Sequence, residues 1–291
     1  VVANFQNQSY YQLVRDVGRE NVWNERYSMW NLVNGRPQKV PTGGILVRPI
    51  DKQENYIKRC VAIAGDTVEV RDGLVWIDGT QQELPEHAQY AYEFTLRDKF
   101  NPKVLKEQYD VNPDDVQQTG PNTVSIPLSD AVANKLQTFG NVIKMERQNH
   151  PRGYSNEYHK FPFFPNHPDF DWSEDNYGPI WIPKKGATVQ LSLKNLPLFA
   201  RTIRVYENNT LEVRGEDIFI NGTKATSYTF TQDYYWLMGD NRHRSQDARF
   251  WGYVPFDHVV GKAVLVWLTV DPQNGGFPMG MRWKRLFTKV R

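Results

Sequence analysis

The densest gathering of reactive side chain types in this chain is the run Met238-Gly239-Asp240-Asn241-Arg242-His243-Arg244-Ser245-Gln246-Asp247-Ala248-Arg249-Phe250-Trp251-Gly252. It lies between two apolar stretches, Tyr234-Tyr235-Trp236-Leu237 and Val259-Val260. Turn formation accounts for Gly239, Asp240 and Asn241, because Asp and Asn bond their own backbone and tolerate left-handed geometry. It does not account for the arginines or Ser245. A hydroxyl, carboxylates and guanidinium groups in one turn can make a structural ionic turn or a chemical site, and residue types alone leave both open.

A second run, Tyr56-Ile57-Lys58-Arg59-Cys60-Val61-Ala62-Ile63-Ala64-Gly65-Asp66, precedes it in the chain. The later run resembles the G-D-N-R-x-x-S-x-D-S-R-x-W-G signature of bacterial type I signal peptidases, membrane serine proteases that remove signal peptides from exported proteins. The earlier run resembles that family's K-R-x-x-x-x-P-G-D hallmark. Both occur in the family's order, with further likeness in Val259-Val260-Gly261-Lys262-Ala263 and Met281-Arg282-Trp283-Lys284-Arg285-Leu286-Phe287. Two long, ordered matches covering about a quarter of the chain make a specific signal.

The resemblance implies a Ser/Lys peptidase, in which an activated hydroxyl, a base and oxyanion donors cut a peptide bond. Lys58 matches the family's general base. A free lysine has a pKa of about 10.4, so a working base requires burial among apolar neighbours, and Ile57 and Val61 supply that type. Ser245 matches the serine that orients the lysine amine. Asp247 and Arg249 match the family's buried pair, with Arg59 close by, and Gly239, Asp240, Asn241 and Arg242 would shape the supporting turn.

The nucleophile is where the resemblance breaks off. The family carries it in an S-x-S-M-x-P-T motif, and the Ser-Met pair here is Ser28-Met29, preceded by Arg26 and followed by Trp30-Asn31-Leu32. Ser28 is therefore rejected as nucleophile. The chain opens in mid-pattern at Val1-Val2-Ala3, so the nucleophile, oxyanion hole and membrane anchor are expected before residue 1, and this fragment alone is expected to be inactive. Two departures within the hallmarks are Ala64 for the usual Pro and Ala248 for the second Ser.

Strands must carry these residues. Ile45-Leu46-Val47, Tyr56 to Ile63, Thr67 to Val70 and Leu74 to Ile77 run or alternate apolar between Gly, Asp and Pro, the look of an antiparallel sheet. Helices are expected after Ser9 (Tyr10 to Val17), after Ser129 (Asp130 to Thr138) and over Leu196 to Glu207, where Pro197 suits a first turn. Val68 to Thr80 and Leu211 to Thr223 echo one another as hairpin units with Gly-bearing turns. Duplication and independent hairpin chemistry both account for the echo.

Between the hallmarks, His150 to Pro183 is thick with Pro and aromatics, among them Tyr158, Phe161, Phe163, Phe164, Phe170, Trp172, Tyr177 and Trp181. Such a segment is expected to pack as an irregular surface or small subdomain. The fold class read here is mainly β. The resemblance implies an antiparallel β-sheet catalytic core, 1–84 with 228–291, and a large loop-rich inserted second domain, 85–227, with few short helices.

With 291 residues, 23% charged and a formal net charge of +2, the chain shows no polyanion-binding character, and no nucleic-acid partner is expected. The single cysteine, Cys60, forms no internal disulfide and reads as a small buried hydrophobe in a strand. Val259 to Val270, interrupted by Lys262, falls short of the ~20 apolar residues of a spanning helix. His150, His159 and His167 with Asp169 and Asp171 lack a metal-ligand spacing, so neither metal nor cofactor is expected. The partners implied are preprotein signal peptides, and the location implied is the bacterial cytoplasmic membrane, with the catalytic domain on its periplasmic face. Two other classes stay in view: a self-cleaving Ser/Lys peptidase, and a non-enzymatic β-rich protein that binds a peptide or glycan.

Overall fold

The computed structural model describes residues 18–24, 28–33, 36–41, 56–154, 163–270 and 277–290. Its chain divides into two compact units, Val1–Tyr56 and Ile57–Arg291. In the first, a short helix Arg19–Trp23 buries Val22, and Ser28–Val33 pairs antiparallel with Arg36–Pro41. The helix expected over Tyr10 to Val17, the strand at Ile45 to Val47, and Tyr158, His159 and Phe161 lie outside the described residues.

The second unit is built on the strand Tyr234–Met238. Its alternating pattern buries Tyr234, Trp236 and Met238 fully on one face, the period of two that a half-buried strand requires. One edge pairs antiparallel with Arg59–Ala62 and the other with Val254–Pro255. A register shift between Trp236 and Leu237 bulges this pairing before Leu237 meets Cys60 and Met238 meets Arg59. The lysine-bearing strand is shorter than its sequence suggests, so Lys58 stands immediately before it. Cys60 is exposed rather than buried, because its side chain falls on the open face.

A second antiparallel sheet, ordered Tyr177–Trp181, Thr67–Arg71, Leu74–Ile77 and Thr80–Gln81, packs against the first. Its turns follow from their residues: Asp72-Gly73 and Asp78-Gly79 each adopt positive φ twice in succession, the requirement of a type I′ turn. The echoing unit, Leu211–Arg214, Asp217–Ile220 and Thr223–Lys224, repeats the pattern, with Gly215 first in its first turn and Asn221-Gly222 in its second.

Between these sheets lies the main core, which includes Val68, Val70, Tyr177, Ile180, Tyr234, Trp236, Phe199, Phe230 and Tyr253. Phe163 and Phe164 belong to it as well. The Pro- and aromatic-rich stretch is thus a core contributor, because its rings cover the sheet faces. The helix Leu196–Arg201, with Pro197 in its first turn, continues as a wider π turn through Tyr206, where Glu207 N donates to Thr202 O.

A separate core gathers Tyr90, Phe94, Leu96, Leu105, Ile126, Leu128 and Leu136. Here an antiparallel sheet ordered Val142–Arg147, Tyr90–Leu96, Thr123–Leu128 and Gln117–Gly120 is covered by the helices Pro102–Tyr109 and Asp130–Gln137. Asn101 caps the first helix, accepting from Lys103 N at 2.9 Å. Ser129 occupies the corresponding position of the second but makes no side-chain cap bond. Throughout the described strands the pairing is antiparallel. Among the described residues no helix is long and apolar enough to cross a membrane.

Candidate active site

The strand Tyr234–Met238 runs directly into the loop 239–247, and its neighbour begins one residue after Lys58. Pairing Met238 with Arg59 therefore brings the two sequence runs side by side. Lys58 Nζ donates to Ser245 Oγ at 2.7 Å, across 187 residues of chain. Burial is the largest influence on Lys58 and lowers its pKa; Asp247 opposes the shift and Arg249 reinforces it. An amine held closer to neutrality can take a proton, and the hydroxyl beside it fixes where the lone pair points.

Gly239 makes that proximity possible. A β-carbon there would overlap Ser245 Oγ and Cβ and come 3.3 Å from Lys58 Nζ. Beneath the loop lies a buried ion pair: Arg249 Nε donates to Asp247 Oδ1 at 2.9 Å and Nη2 to Oδ2 at 2.7 Å. Asp247 also accepts from Gly239 N and Arg249 N, capping the short helix Ala248–Trp251. Burial alone would raise the Asp247 pKa, yet the Arg249 charge and these hydrogen bonds hold it below the ordinary carboxylate value. Arg249 further donates to the carbonyls of Glu174 and Arg242. A charge pair so completely satisfied is the arrangement in which burial is tolerable.

The remaining residues expected from the sequence close around this pair. Arg59 grips Asp240 with two hydrogen bonds of 2.8 Å, and that grip is the chief cause of the lowered Asp240 pKa. Asn241 Nδ2 donates to Gln89 Oε1, and Gln89 exchanges backbone bonds with Asp240 and Arg242. Arg242 is 2% exposed and donates to Met238 Sδ; burial lowers its pKa. Ala248 is fully buried, so the missing second hydroxyl leaves a packed methyl group. Ser28 opens the strand Ser28–Val33 in the other unit.

Sequence reasoning missed a neighbouring network. His243 Nε2 lies 2.9 Å from Asp175 Oδ1, and its Nδ1 accepts from Ala91 N at 2.9 Å. Asp175, 1% exposed, also accepts from His150 N, while His150 Nδ1 meets Glu174 Oε1 at 2.6 Å. His243 sits inside the signature run at an unspecified position, which was its one available signal. Asp175 had none, since only the fold brings it near. Among the described residues His150, Glu174 and Asp175 form one group whose donor atoms converge closely enough to suggest a metal. Those atoms are engaged by the hydrogen bonds just given, and His167, Asp169 and Asp171 are not part of the group.

A profile of the family described as "Signal peptidase, peptidase S26" matches residues 8–126 and 195–268. The signal peptidase I of Haemophilus influenzae is 36% identical over 70 residues, 24% of this chain and 20% of that protein. That of Buchnera aphidicola subsp. Acyrthosiphon pisum is 44% identical over 52 residues, 18% of this chain and 17% of that protein. That of Aquifex aeolicus is 48% identical over 43 residues, 15% and 17% of the respective chains. The aligned segments thus span a fifth or less of the length of these relatives.

Proposed function

This chain belongs to the signal peptidase family, peptidase S26, and on that premise we propose that it is the catalytic portion of a signal peptidase I, a serine endopeptidase that removes N-terminal signal peptides from exported preproteins by a Ser/Lys mechanism. The observation that carries the reading is the 2.7 Å contact between Lys58 Nζ and Ser245 Oγ, backed by the buried Asp247–Arg249 pair.

In this mechanism the neutral amine of Lys58 takes the proton of the attacking serine hydroxyl as that oxygen adds to the scissile carbonyl. The same amine, now protonated, passes the proton to the leaving nitrogen as the peptide bond breaks. Ser245 orients the amine. Gly239 gives both side chains room, Arg59 and Asp240 fasten the lysine strand to the loop, and Asn241 and Arg242 fix the turn. Asp247 and Arg249 hold the loop from below. The attacking hydroxyl and the oxyanion donors lie outside this assigned set. No cofactor is required for this chemistry.

The substrate is an extended segment ending in small residues of the A-x-A kind. Among the described residues Arg59–Ala62 is an edge strand of its sheet, which supports docking by strand addition beside Lys58. Exposed apolar side chains at Val260, Trp267, Phe277, Met279 and Trp283 support work at the periplasmic face of the cytoplasmic membrane. The separate core of Tyr90 to Leu136 supports an inserted second domain within 85–227, although Phe163, Tyr177 and Phe199 of that range pack with the catalytic strands. Incubating the complete enzyme with a preprotein and sequencing the new N-terminus tests the reading: cleavage after the A-x-A segment supports it, and an intact preprotein refutes it.

A further inference from the structure

The loop that carries Ser245 is fastened to the second domain at four places. Gln89 N donates to Asp240 O at 2.8 Å, Arg242 N donates to Gln89 O at 2.7 Å, Ala91 N donates to His243 Nδ1 at 2.9 Å, and Arg244 grips Asp115 through Oδ1 and the main-chain carbonyl. Ala91 is the second residue of Tyr90–Leu96, an inner strand of the second core's sheet, and Asp115 precedes its edge strand Gln117–Gly120. The centre of the fastening is His243, whose side chain is 3% exposed. Its Nδ1 accepts a backbone proton, so Nε2 carries the hydrogen given to Asp175. Asp175 is itself immobilised: its backbone carbonyl accepts from Gly73 N and its carboxylate from His150 N.

Resting on the peptidase reading, we infer that the second domain serves as a latch that holds the Ser245 loop against Lys58, with His243 as the positioning residue through which Ala91 and Asp175 act. His243 lies two residues from Ser245, on a loop that the Arg59–Asp240 grip and the Asp247 cap anchor within the catalytic core. Removing the imidazole leaves the Ala91 N–H and the Asp175 carboxylate without their shared partner. Between Arg242 and Ser245 the loop is then held to the second domain only by the partly exposed grip of Arg244 on Asp115. Displacement there admits water to Lys58. Burial dominates the lysine's environment, so hydration favours its charged form.

The test reads Lys58 directly and needs no substrate. In the 291-residue chain with ¹³C at lysine Cε, the Lys58 resonance is assigned by its loss in Lys58→Arg, then titrated in the unaltered chain, in His243→Ala and in His243→Gln, with thermal unfolding followed in parallel. The latch predicts that Lys58 titrates below the ordinary lysine value in the unaltered chain and moves up by about half a unit or more in His243→Ala. Glutamine retains a donor toward Asp175, but its acceptor Oε1 stands one bond farther from the backbone than Nδ1 and does not reproduce the Ala91 bond, so His243→Gln is expected to move it in the same direction by less. Should His243→Ala fail to fold, the glutamine variant alone decides. A depressed Lys58 value that the folded variants leave in place, even with a lowered Tm, would overturn the latch and spare the peptidase reading. An ordinary lysine value in the unaltered chain would overturn the base assignment and the latch together.

Discussion

Gly239 and Ser245 occupy space that a single added methyl group would contest: a β-carbon on Gly239 falls on Ser245 Oγ and Cβ. Because the nearest atoms belong to the side chain that accepts from Lys58 Nζ, Gly239→Ala must push Ser245 away from the amine. We expect a loss of roughly 10²-fold in kcat with KM little changed, the scale that about 1 Å of misplacement produces. Steady-state cleavage of a preprotein by the complete enzyme measures it, and near-normal kcat would show that the loop absorbs the methyl group.

Asp247 and Arg249 are both fully buried and satisfy one another. Arg249→Met removes one charge and strands the other, so unfolding in urea should show a loss of about 3–5 kcal/mol. A loss below about 1 kcal/mol would indicate that water enters and solvates Asp247.

Acid stability follows from the same carboxylates. The folded-state pKa values of Asp247 and Asp175 are both depressed: each has a burial contribution that would raise it, outweighed by Arg249 in one case and by the His243 hydrogen bond in the other. A depressed carboxylate contributes stability that is complete above the unfolded value of about 3.9 and is lost as pH falls through the folded value. Thermal unfolding should therefore show a Tm that falls steeply below about pH 4, and Asp247→Asn should flatten that acid limb. An acid limb unchanged in Asp247→Asn would place the linkage on other groups.

Ser245→Ala removes an orienting hydroxyl but leaves the amine able to reach the attacking oxygen part of the time. The expected cost is roughly ten- to a thousand-fold in kcat, with thermal stability retained. A silent Ser245→Ala would remove the orienting role and leave the rest standing.

Much of this arrangement was legible in the residues. The Asp-Gly and Asn-Gly turns read directly as hairpins because positive φ at two successive positions admits few residue types. Tyr234 to Met238 reads only as an apolar run, and its alternating burial appears in the structure alone. The pairing of Lys58 with Ser245 came from resemblance, since no local rule joins residues 187 positions apart. What stayed hidden was long-range and irregular. Asp175 and Glu174 look like ordinary loop acids, and only their approach to His243, His150 and Arg249 gives them a part. Cys60 was misjudged because a short apolar strand does not announce which face is open. The Pro-rich aromatics read as an irregular surface or small subdomain because nothing local marks Phe163, Phe164 and Tyr177 as part of the main core.

The central claim is that Lys58 is the base, and it is tested most directly by replacing that residue in the complete enzyme and following preprotein cleavage. A base must shed its charge to act, so Lys58→Ala should abolish cleavage, and Lys58→Arg should do the same because a guanidinium stays protonated at any working pH. Both variants should unfold at temperatures close to that of the unaltered protein. Cleavage by folded Lys58→Ala at a rate near that of the unaltered enzyme would contradict the account.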